Sequence, residues 1–525
     1  MRVLQSSAVL LLSCIAFSAC YDYKLALQDS LLFYEAQRSG KLPADQKVTW
    51  RKDSALNDKG NNGEDLTGGY YDDTQLIEFP SVATQFIAFP SVAMQFIALP
   101  GVLEAFFNLI VESITGDFVK FGFPMAFTAT SLAWSVLDHA SGYTSASALD
   151  DAHKAIKWAT DYFIKAHVSE FEFYGQVGQG QVDHDYWGRP EDMTMARPAY
   201  MISTSAPGSD LAAETAAALA AASLVFKTVD SSYSATLLQH AIQLFNFANT
   251  YRGIYSNSIT DANSFYRSSS YEDELVWGAA WLYRATNDNQ YLSVVNELYS
   301  GIQYNDGFGW DSKKSGADVS YTGRQANPST LSITFLSIDR LIVSAPPCIL
   351  SIYAVLYRLT KDATYSGRLT AYCDYTFNSA PKTPKGLIFL GDWGSLRNIA
   401  NAVFICLEAA SLGINADTYR SGAKTQIDYM LGDGGHSYVV GYGDNYPTHA
   451  HHRSSSCPDA PAVCDWNLFN SDTPNYHVLY GALVGGPGSN DDYIDTRQDA
   501  QHNEVACDYN SAYQGALSIL VELGY

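Results

Sequence analysis

The sequence has few basic residues, few cysteines and no long apolar run beyond its N-terminus. It contains 32 Lys and Arg against 55 Asp and Glu, a net charge of −23, and so lacks the basic surface that nucleic-acid binding requires. Eight cysteines in 525 residues are too few for a fold built on disulfides. The most apolar internal run, Leu99–Ile114, is short and carries Glu104 and Glu112. We therefore expect no nucleic-acid partner and no membrane span.

The sequence also lacks both the apolar–polar alternation of strands and any linker rich in Ser, Thr or Pro. Helical periodicity recurs instead, in segments 21–40, 132–137, 153–164, 211–224, 237–251 and 274–285. Ser209 or Asp210 is the expected N-cap of the fourth segment. With ordinary helix and loop lengths, the pattern predicts about six helix pairs. The fold class is therefore all-α, with one domain over 21–525 and no separate binding module.

The first 20 residues have the pattern of a secretory signal peptide. Arg2 supplies the charged start, Val9–Phe17 the short apolar core, and Ser18-Ala19-Cys20 the small residues of a cleavage site. We expect a secreted, extracellular protein that acts as a monomer. Secretion permits disulfides, but the sequence leaves open whether Cys457 and Cys464 pair across the intervening loop.

Aromatic residues are abundant, and they accompany an acidic residue near the C-terminus. The chain has 36 Tyr and 9 Trp, whose faces are suited to stacking on sugar rings. The C-terminal stretch reads Tyr493-Ile494-Asp495, then Glu504-Val505-Ala506, then Asn510-Ser511. A polysaccharide groove needs stacking faces and an acid kept protonated by a partly apolar wall. Glu504 taken alone fits a solvated acidic loop better, so the spacing of the whole stretch matters.

That spacing resembles the C-terminal signature of glycoside hydrolase family 9, the inverting cellulases. A second stretch, Val439-Val440, Gly443, Asn445 and His451-His452-Arg453, resembles the other C-terminal signature of the family. The chain looks similar to the animal endoglucanases of the insect gut. The resemblance implies an (α/α)6 barrel that hydrolyses internal β-1,4 bonds of cellulose with inversion. Glu504 would be the general acid.

The resemblance places the general base in a motif that is split here. In the family the segment after Gly68-Gly69-Tyr70-Tyr71-Asp72 continues directly, whereas this chain inserts 43 residues, Asp73–Thr115, before Gly116-Asp117. Asp72 and Asp117 would together hold the attacking water, with Asp117 as base, about 6.5–9.5 Å from the acid. A repeat of period ten within the insert, each copy with a proline, makes it foreign to the fold. The alternative is a catalytically impaired, glucan-binding product.

A second insertion, from about 320 to about 354, carries three prolines and is predicted to interrupt a helix. The resemblance also implies further residues that line the cleft or contact the sugar, namely His184, Trp187, Tyr266, Trp393, His451, Arg453, Asp495 and Tyr509.

A structural calcium ion is implied at Asp273, Glu274 and Asp311, because hard carboxylate oxygens suit calcium. The alternative for these acids is an acidic N-terminus of the following helix. No cofactor is needed for the chemistry. The preferred β-glucan, and endo versus processive action, stay open.

Overall fold

The computed structural model describes residues 21–72, 118–299, 308–313 and 350–525, and helices dominate them. The helices of 11 residues or more in these ranges are α1 (Tyr23–Ala36), α2 (Gly122–Ser145), α3 (Leu149–Ala166), α4 (Ser209–Phe226), α5 (Ser231–Thr250), α6 (Glu272–Thr286), α7 (Asn289–Tyr299), α8 (Leu350–Thr360), α9 (Ala363–Asn378), α10 (Ser395–Ser411), α11 (Ala416–Asp428) and α12 (Cys507–Glu522).

These helices form two concentric rings. The even-numbered helices contact one another in order, and α12 contacts α2, which closes the inner ring. Each odd-numbered helix from α3 to α11 packs on the inner helix before it, and α1 packs on α12. This arrangement is an (α/α)6 barrel, so the predicted all-α fold is confirmed.

Small residues let the inner helices approach one another closely. In α4, which is rich in alanine, nearly every residue is buried. A Cβ added at Gly142 of α2 would lie 2.0 Å from the carbonyl oxygen of Ser518 in α12, so only glycine fits there. Among the described residues, α4 alone is long and apolar enough to cross a membrane, but here it is a core helix of the barrel.

The predicted N-cap of α4 is wrong. The helix begins at Ser209, and the N-cap is Gly208. The Ser209 hydroxyl donates to the carbonyl of Ala248 instead of accepting from the first turn. Asp210 accepts from the backbone amide of Tyr255 and so holds a neighbouring segment. Contacts distant in sequence therefore displace the local capping pattern.

A small antiparallel sheet lies beside the barrel. Its strands are β1 (Lys120–Phe121), β2 (His167–Ser169), β3 (Glu172–Val177) and β4 (Ala199–Ile202), and β3 pairs with each of the others. Strands this short leave no readable alternation, so the sequence does not predict them. Short helices in the loops are Gly180–His184, Tyr255–Ser258, Arg453–Ser456, Trp466–Phe469 and Ala500–Asn503, with a π turn at Tyr429–Asp433 and 3-10 turns at Pro190–Asp192 and Thr260–Ser264.

Two disulfides join parts of the chain. Cys457 and Cys464 pair, which settles the question left open by the sequence. Cys373 and Cys406 link α9 to α10, a pairing that the sequence does not reveal. Cys507 is buried and forms no disulfide within the described residues, and its thiol donates to the Tyr71 carbonyl (3.7 Å).

The predicted signal peptide, the first insertion and residues 320–349 of the second lie outside the described residues. Residues 350–354, the end of the second predicted insertion, are helical because α8 begins at Leu350, and the bounds of that insertion stay a prediction.

One end of the barrel collects the predicted site residues. Phe118–Lys120 precede the N-terminus of α2, Tyr266 that of α6, Trp393 that of α10, and Glu504 that of α12. The loops before four inner helices therefore form the site, at the end of the barrel where the inner helices begin.

Candidate active site

Glu504 is a buried carboxyl group held between two aromatic side chains. It follows the short helix Ala500–Asn503, and its side chain has no exposed surface. Its Oε2 accepts hydrogen bonds from Trp393 Nε1 (3.0 Å) and from the Tyr509 hydroxyl (3.0 Å). Gly394 makes this possible, since a Cβ at that position would lie 2.7 Å from the Tyr509 oxygen. Three predicted residues from two stretches of the sequence thus meet at one oxygen atom.

A buried ion pair borders this group. Arg397 Nη1 lies 3.3 Å from Asp508 Oδ2, and the Arg397 guanidinium sits over the Tyr509 ring at 4.9 Å. Burial raises the pKa of Asp508, and the charge of Arg397 opposes that rise. The cation therefore stays close to Glu504 without neutralising it directly. Sequence reasoning missed Arg397, although it stands only four residues after Trp393, in the first turn of α10.

His451 lies in a strand-like segment beside Glu504, and Arg453 begins the short helix that follows. The His451 amide donates to the Asn503 carbonyl (2.8 Å), and the His451 segment bridges in parallel to Glu504. The His451 Nδ1 lies 2.6 Å from the Arg497 carbonyl, so Nδ1 carries the proton in this hydrogen bond. Arg453 is fully buried and pairs with Asp183. Both residues are thus fixed next to Glu504 by buried contacts.

Asp72 lies beside Tyr266. It is buried, and its backbone amide donates to the Val119 carbonyl (3.2 Å) across the split in the sequence. Burial raises the pKa of Tyr266 well above its ordinary value, and the nearby Asp72, Asp508 and Glu504 carboxylates add to the rise. Tyr266 therefore lies within electrostatic reach of Asp72 and Glu504, two of the three predicted catalytic carboxyl groups. Asp117 lies outside the described residues.

The predicted cleft residues His184 and Trp187 are both buried. The His184 Nδ1 lies 2.7 Å from the Gly180 carbonyl, and the ring lies 5.0 Å from that of Phe265. The Trp187 ring lies 5.6 Å from the His451 ring and 5.8 Å from the Arg453 guanidinium. The structure thus joins Trp187 to the His451 segment.

Asp495 holds a turn. Its Oδ2 accepts from the Thr448 amide (2.8 Å) and hydroxyl (2.9 Å), and its Oδ1 accepts from the His449 amide (2.9 Å). These contacts fix the loop that enters His451. A direct contact of Asp495 with substrate stays a prediction.

Comparison with known proteins agrees with this geometry. The sequence profile of glycosyl hydrolase family 9 matches residues 23–93 and 115–517. The chain belongs to glycosyl hydrolase family 9. The unmatched residues 94–114 lie within the predicted first insertion, whereas the second falls inside the matched range.

Individual family 9 proteins resemble the chain over most of its length. The structure of an endoglucanase from the termite Nasutitermes takasagoensis is 55% identical with a TM-score of 0.81, covering 96% of this chain and 100% of that one. Endoglucanase B of Cellulomonas fimi is 41% identical over 97% of this chain, and the chain spans 43% of that protein's length. The Clostridium thermocellum endoglucanase CelQ complexed with cellotriose is 28% identical with a TM-score of 0.72, over 96% and 71% of the two chains.

The resemblance to family 9 did not reveal an aromatic cluster that lies next to Trp187. The Trp466 ring lies 5.7 Å from Trp187 and 5.1 Å from Phe469. The buried Arg497 secures this loop through hydrogen bonds to the carbonyls of Leu468 (3.0 Å) and Thr473 (2.7 Å). A tryptophan two residues after a disulfide cysteine was the available signal.

Two of the three acids of the predicted calcium site, Asp273 and Glu274, are buried, and Asp311 is half-buried. The Asp273 Oδ2 accepts from the Lys313 amide (2.9 Å), and the Asp311 Oδ1 accepts from the Ser269 amide (2.8 Å). Burial and the neighbouring Asp273 raise the pKa of Asp311 to about 7 and that of Glu274 well above its ordinary value. A divalent cation would relieve this repulsion.

The same acids face a cation of the protein itself. Lys313 Nζ lies 3.3 Å from Glu274 Oε1 and 2.7 Å from Glu214 Oε2. The Glu274 Oε2 is buried and accepts no hydrogen bond within the described residues, so one oxygen is available to a metal. In those residues no three His, Cys, Asp or Glu side chains are already gathered as a metal site. The donor chemistry fits calcium, and occupancy stays a prediction.

Proposed function

We propose that this family 9 glycoside hydrolase is a secreted endo-β-1,4-glucanase that cleaves internal bonds of cellulose with inversion. The observation that carries the proposal is the placement of Glu504. It is buried, its Oε2 accepts from Trp393 and Tyr509, and Tyr266 lies within electrostatic reach of both Glu504 and Asp72. Two carboxyl groups that face one space are what an inverting hydrolase requires.

Glu504 acts as the general acid in this proposal. Its carboxyl proton passes to the glycosidic oxygen as the bond to the anomeric carbon breaks. Trp393 and Tyr509 fix the orientation of the carboxyl group, since both donate to Oε2. Buried surroundings favour the protonated form that donation needs.

Asp72 and Asp117 act on the water. Asp117 takes a proton from the water whose oxygen attacks the anomeric carbon from the opposite face, and Asp72 helps to hold that water. The hydrogen bond from the Asp72 amide to the Val119 carbonyl supports this pairing, because it brings the chain on both sides of the split together. For this reason the alternative, a catalytically impaired protein that only binds glucan, is the second candidate function.

The sugar at the cleavage site is held by His451, Arg453, Tyr266 and Tyr509. Hydrogen bonds to sugar hydroxyls that tighten in the transition state increase the rate as well as the affinity. Trp187, His184 and Trp393 extend the cleft along the chain. The glucan class is supported by the CelQ relative, whose structure holds cellotriose.

Calcium, where bound, would be held by Asp273, Glu274 and Asp311 and would support the loop before α6. Secretion is supported by the N-terminal leader pattern and by the two disulfides, which form in oxidising compartments. We further propose that the enzyme acts as a monomer.

A reducing-sugar assay on carboxymethylcellulose tests the activity, and proton NMR of the first product tests the stereochemistry. Release of the α-anomer from a β-linked chain is expected for inversion. Glu504→Gln is the inactive reference, and Glu297→Gln, an exposed acid on α7, is the matched control. Turnover by the wild type no greater than that of Glu504→Gln would refute the proposal.

A further inference from the structure

A row of buried charges with alternating sign runs beneath the two ends of the split base motif. Lys120 Nζ lies 2.7 Å from Asp58 Oδ2, and Arg197 Nε lies 2.7 Å from Asp58 Oδ1. Asp183 pairs with Arg453 further along the row. Side-chain exposure is 10% for Arg197 and at most 2% for the other four residues. We name these five residues the charge row.

The charge row holds the peptide that follows Asp117 from both sides. The Phe118 amide donates to Asp183 Oδ1 (2.9 Å), and the Phe118 carbonyl accepts from Arg197 Nη1 (3.0 Å). Both backbone groups of this residue are therefore bound to charged side chains. Because Phe118 is covalently attached to Asp117, its position limits where Asp117 can be.

The charge row also reaches the segment that precedes Asp72. Lys120 Nζ donates to the carbonyls of Leu66 and Gly68 while it pairs with Asp58. One ammonium group therefore joins the chain before the split to the chain after it. The hydrogen bond from the Asp72 amide to the Val119 carbonyl lies between these two anchors.

Stability alone is a weak reason for such a row. Removing charges from water costs several kcal/mol per ion, and apolar replacements of buried ion pairs are often neutral or stabilising. Burial on its own would raise the pKa of Asp58, but the charges of Lys120 and Arg197 outweigh it and lower that pKa. Asp58 is thus held ionised between two cations, and the donors of those cations also reach defined backbone carbonyls.

We propose that Asp58, Lys120, Arg197 and Asp183 are positioning residues for the general base. They set the Phe118 peptide, and so Asp117, relative to Asp72, in place of the short covalent link of an uninterrupted motif. This inference rests on the proposed function. Asp58, Lys120 and Arg197 are not placed in contact with substrate.

The decisive variant is Arg197→Lys. Lysine keeps a positive charge for Asp58, but it lacks the guanidinium fork that reaches the Phe118 carbonyl. A displacement of about 1 Å in a catalytic group can cost about 10²-fold in rate. We expect kcat on carboxymethylcellulose to fall by about 10²-fold, with KM changed by less than about threefold. Asp58→Asn is expected to give the same split between kcat and KM.

The matched control is Asp138→Asn at the other end of the barrel. Asp138 is a buried carboxylate that pairs with two cations, Arg284 and Arg358, as Asp58 pairs with Lys120 and Arg197. It lies far along α2 from the site. We expect this control to lower the melting temperature while kcat, measured well below that temperature, stays within about threefold of the wild type.

Two further measurements make the result unambiguous. Cellohexaose binding is measured for each variant in the Glu504→Gln background, where an intact cleft predicts dissociation constants within about threefold of the parent. If Asp58→Asn fails to fold, Arg197→Lys still decides. Equal loss of kcat in Arg197→Lys and Asp138→Asn, or unchanged kcat in Arg197→Lys, would overturn the inference. Failure of the wild type to turn over would instead refute the proposed function.

Discussion

His139 is predicted to make the barrel less stable as the pH rises from neutral to alkaline. It lies near the C-terminal end of α2, where its Nε2 is 3.0 Å from Glu408 of α10 and its Nδ1 is 2.7 Å from Glu522 of α12. Burial alone would lower the pKa of His139, but Glu408 and Glu522 outweigh it and raise the pKa to about 9. The imidazolium therefore ties three inner helices together at the end opposite the active site.

The sign and size of the effect follow from this pKa. A group whose pKa is raised on folding contributes stability below its unfolded value and loses that contribution as the pH passes its folded value. For His139 the window runs from 6.5 to about 9. Because one pKa unit is worth about 1.4 kcal/mol, the free energy of unfolding should fall by about 3 kcal/mol across it.

Urea unfolding followed by tryptophan fluorescence at pH 6, 7, 8 and 9 measures this loss. Other groups also titrate in the window; Lys120, for example, has a pKa lowered by burial to about 8. Their contributions cancel in the difference between wild type and His139→Gln. That difference should shrink by about 3 kcal/mol between pH 6 and pH 9.

His153→Gln is the matched control. His153 is also a helical histidine, on α3, but burial lowers its pKa, so it is already neutral above its ordinary value. The His153→Gln substitution should leave unchanged the rate at which the free energy of unfolding falls with rising pH. Parallel stability curves for wild type and His139→Gln from pH 6.5 to 9 would refute the reasoning, because the buried imidazolium would then carry no linkage.

The remaining predictions concern the site, the metal and the insertion. Glu504→Gln should lower kcat by about 10²- to 10⁴-fold with little change in cellohexaose binding, since proton donation acts in the transition state; unchanged kcat would exclude this role. If calcium binds, chelation should lower the melting temperature, because a ligand at 1,000 times its dissociation constant stabilises the folded state by about 4 kcal/mol. Asp311→Asn should abolish this response. A melting curve that changes neither with chelator nor with added calcium would exclude the site. Replacing Asp73–Thr115 by a single Ala should raise both activity and solubility, and a shortened chain no more active than the full one would show the insertion to be tolerated or functional.

The fold and the acid side of the site were predictable because their signals are local. Helical periodicity predicted the segments that became α1, α3, α5 and α6, and the C-terminal spacing singled out Glu504 through its resemblance to the family signature. Tyr509 follows Glu504 by five residues across the start of α12, and its hydroxyl reaches the carboxyl group. Spacing over so few residues can be recognised in a single sequence.

The ion pairs beneath the site were not predictable, because their partners are distant in the chain. Asp58 pairs with Lys120 and Arg197, and Arg397 with Asp508, without any shared periodicity or spacing. The N-cap of α4 failed for the same reason, since Ser209 bonds to Ala248 of α5 instead of its own helix. Tertiary contacts decide what a polar side chain binds wherever several partners compete.

The insertion that splits the general-base motif is less disruptive than its length suggests. Loop-closure entropy grows as (3/2)RT ln n, so 43 additional residues cost roughly 3 kcal/mol, which a large barrel can absorb. The harder requirement is geometric, since two carboxylates must hold one water within a fraction of an ångström. Lys120 meets the carbonyls of Leu66 and Gly68 on one side of the split, while Arg197 and Asp183 hold Phe118 on the other. A site held by such non-covalent contacts does not depend on a short covalent link alone, which is why an interrupted motif remains compatible with catalysis.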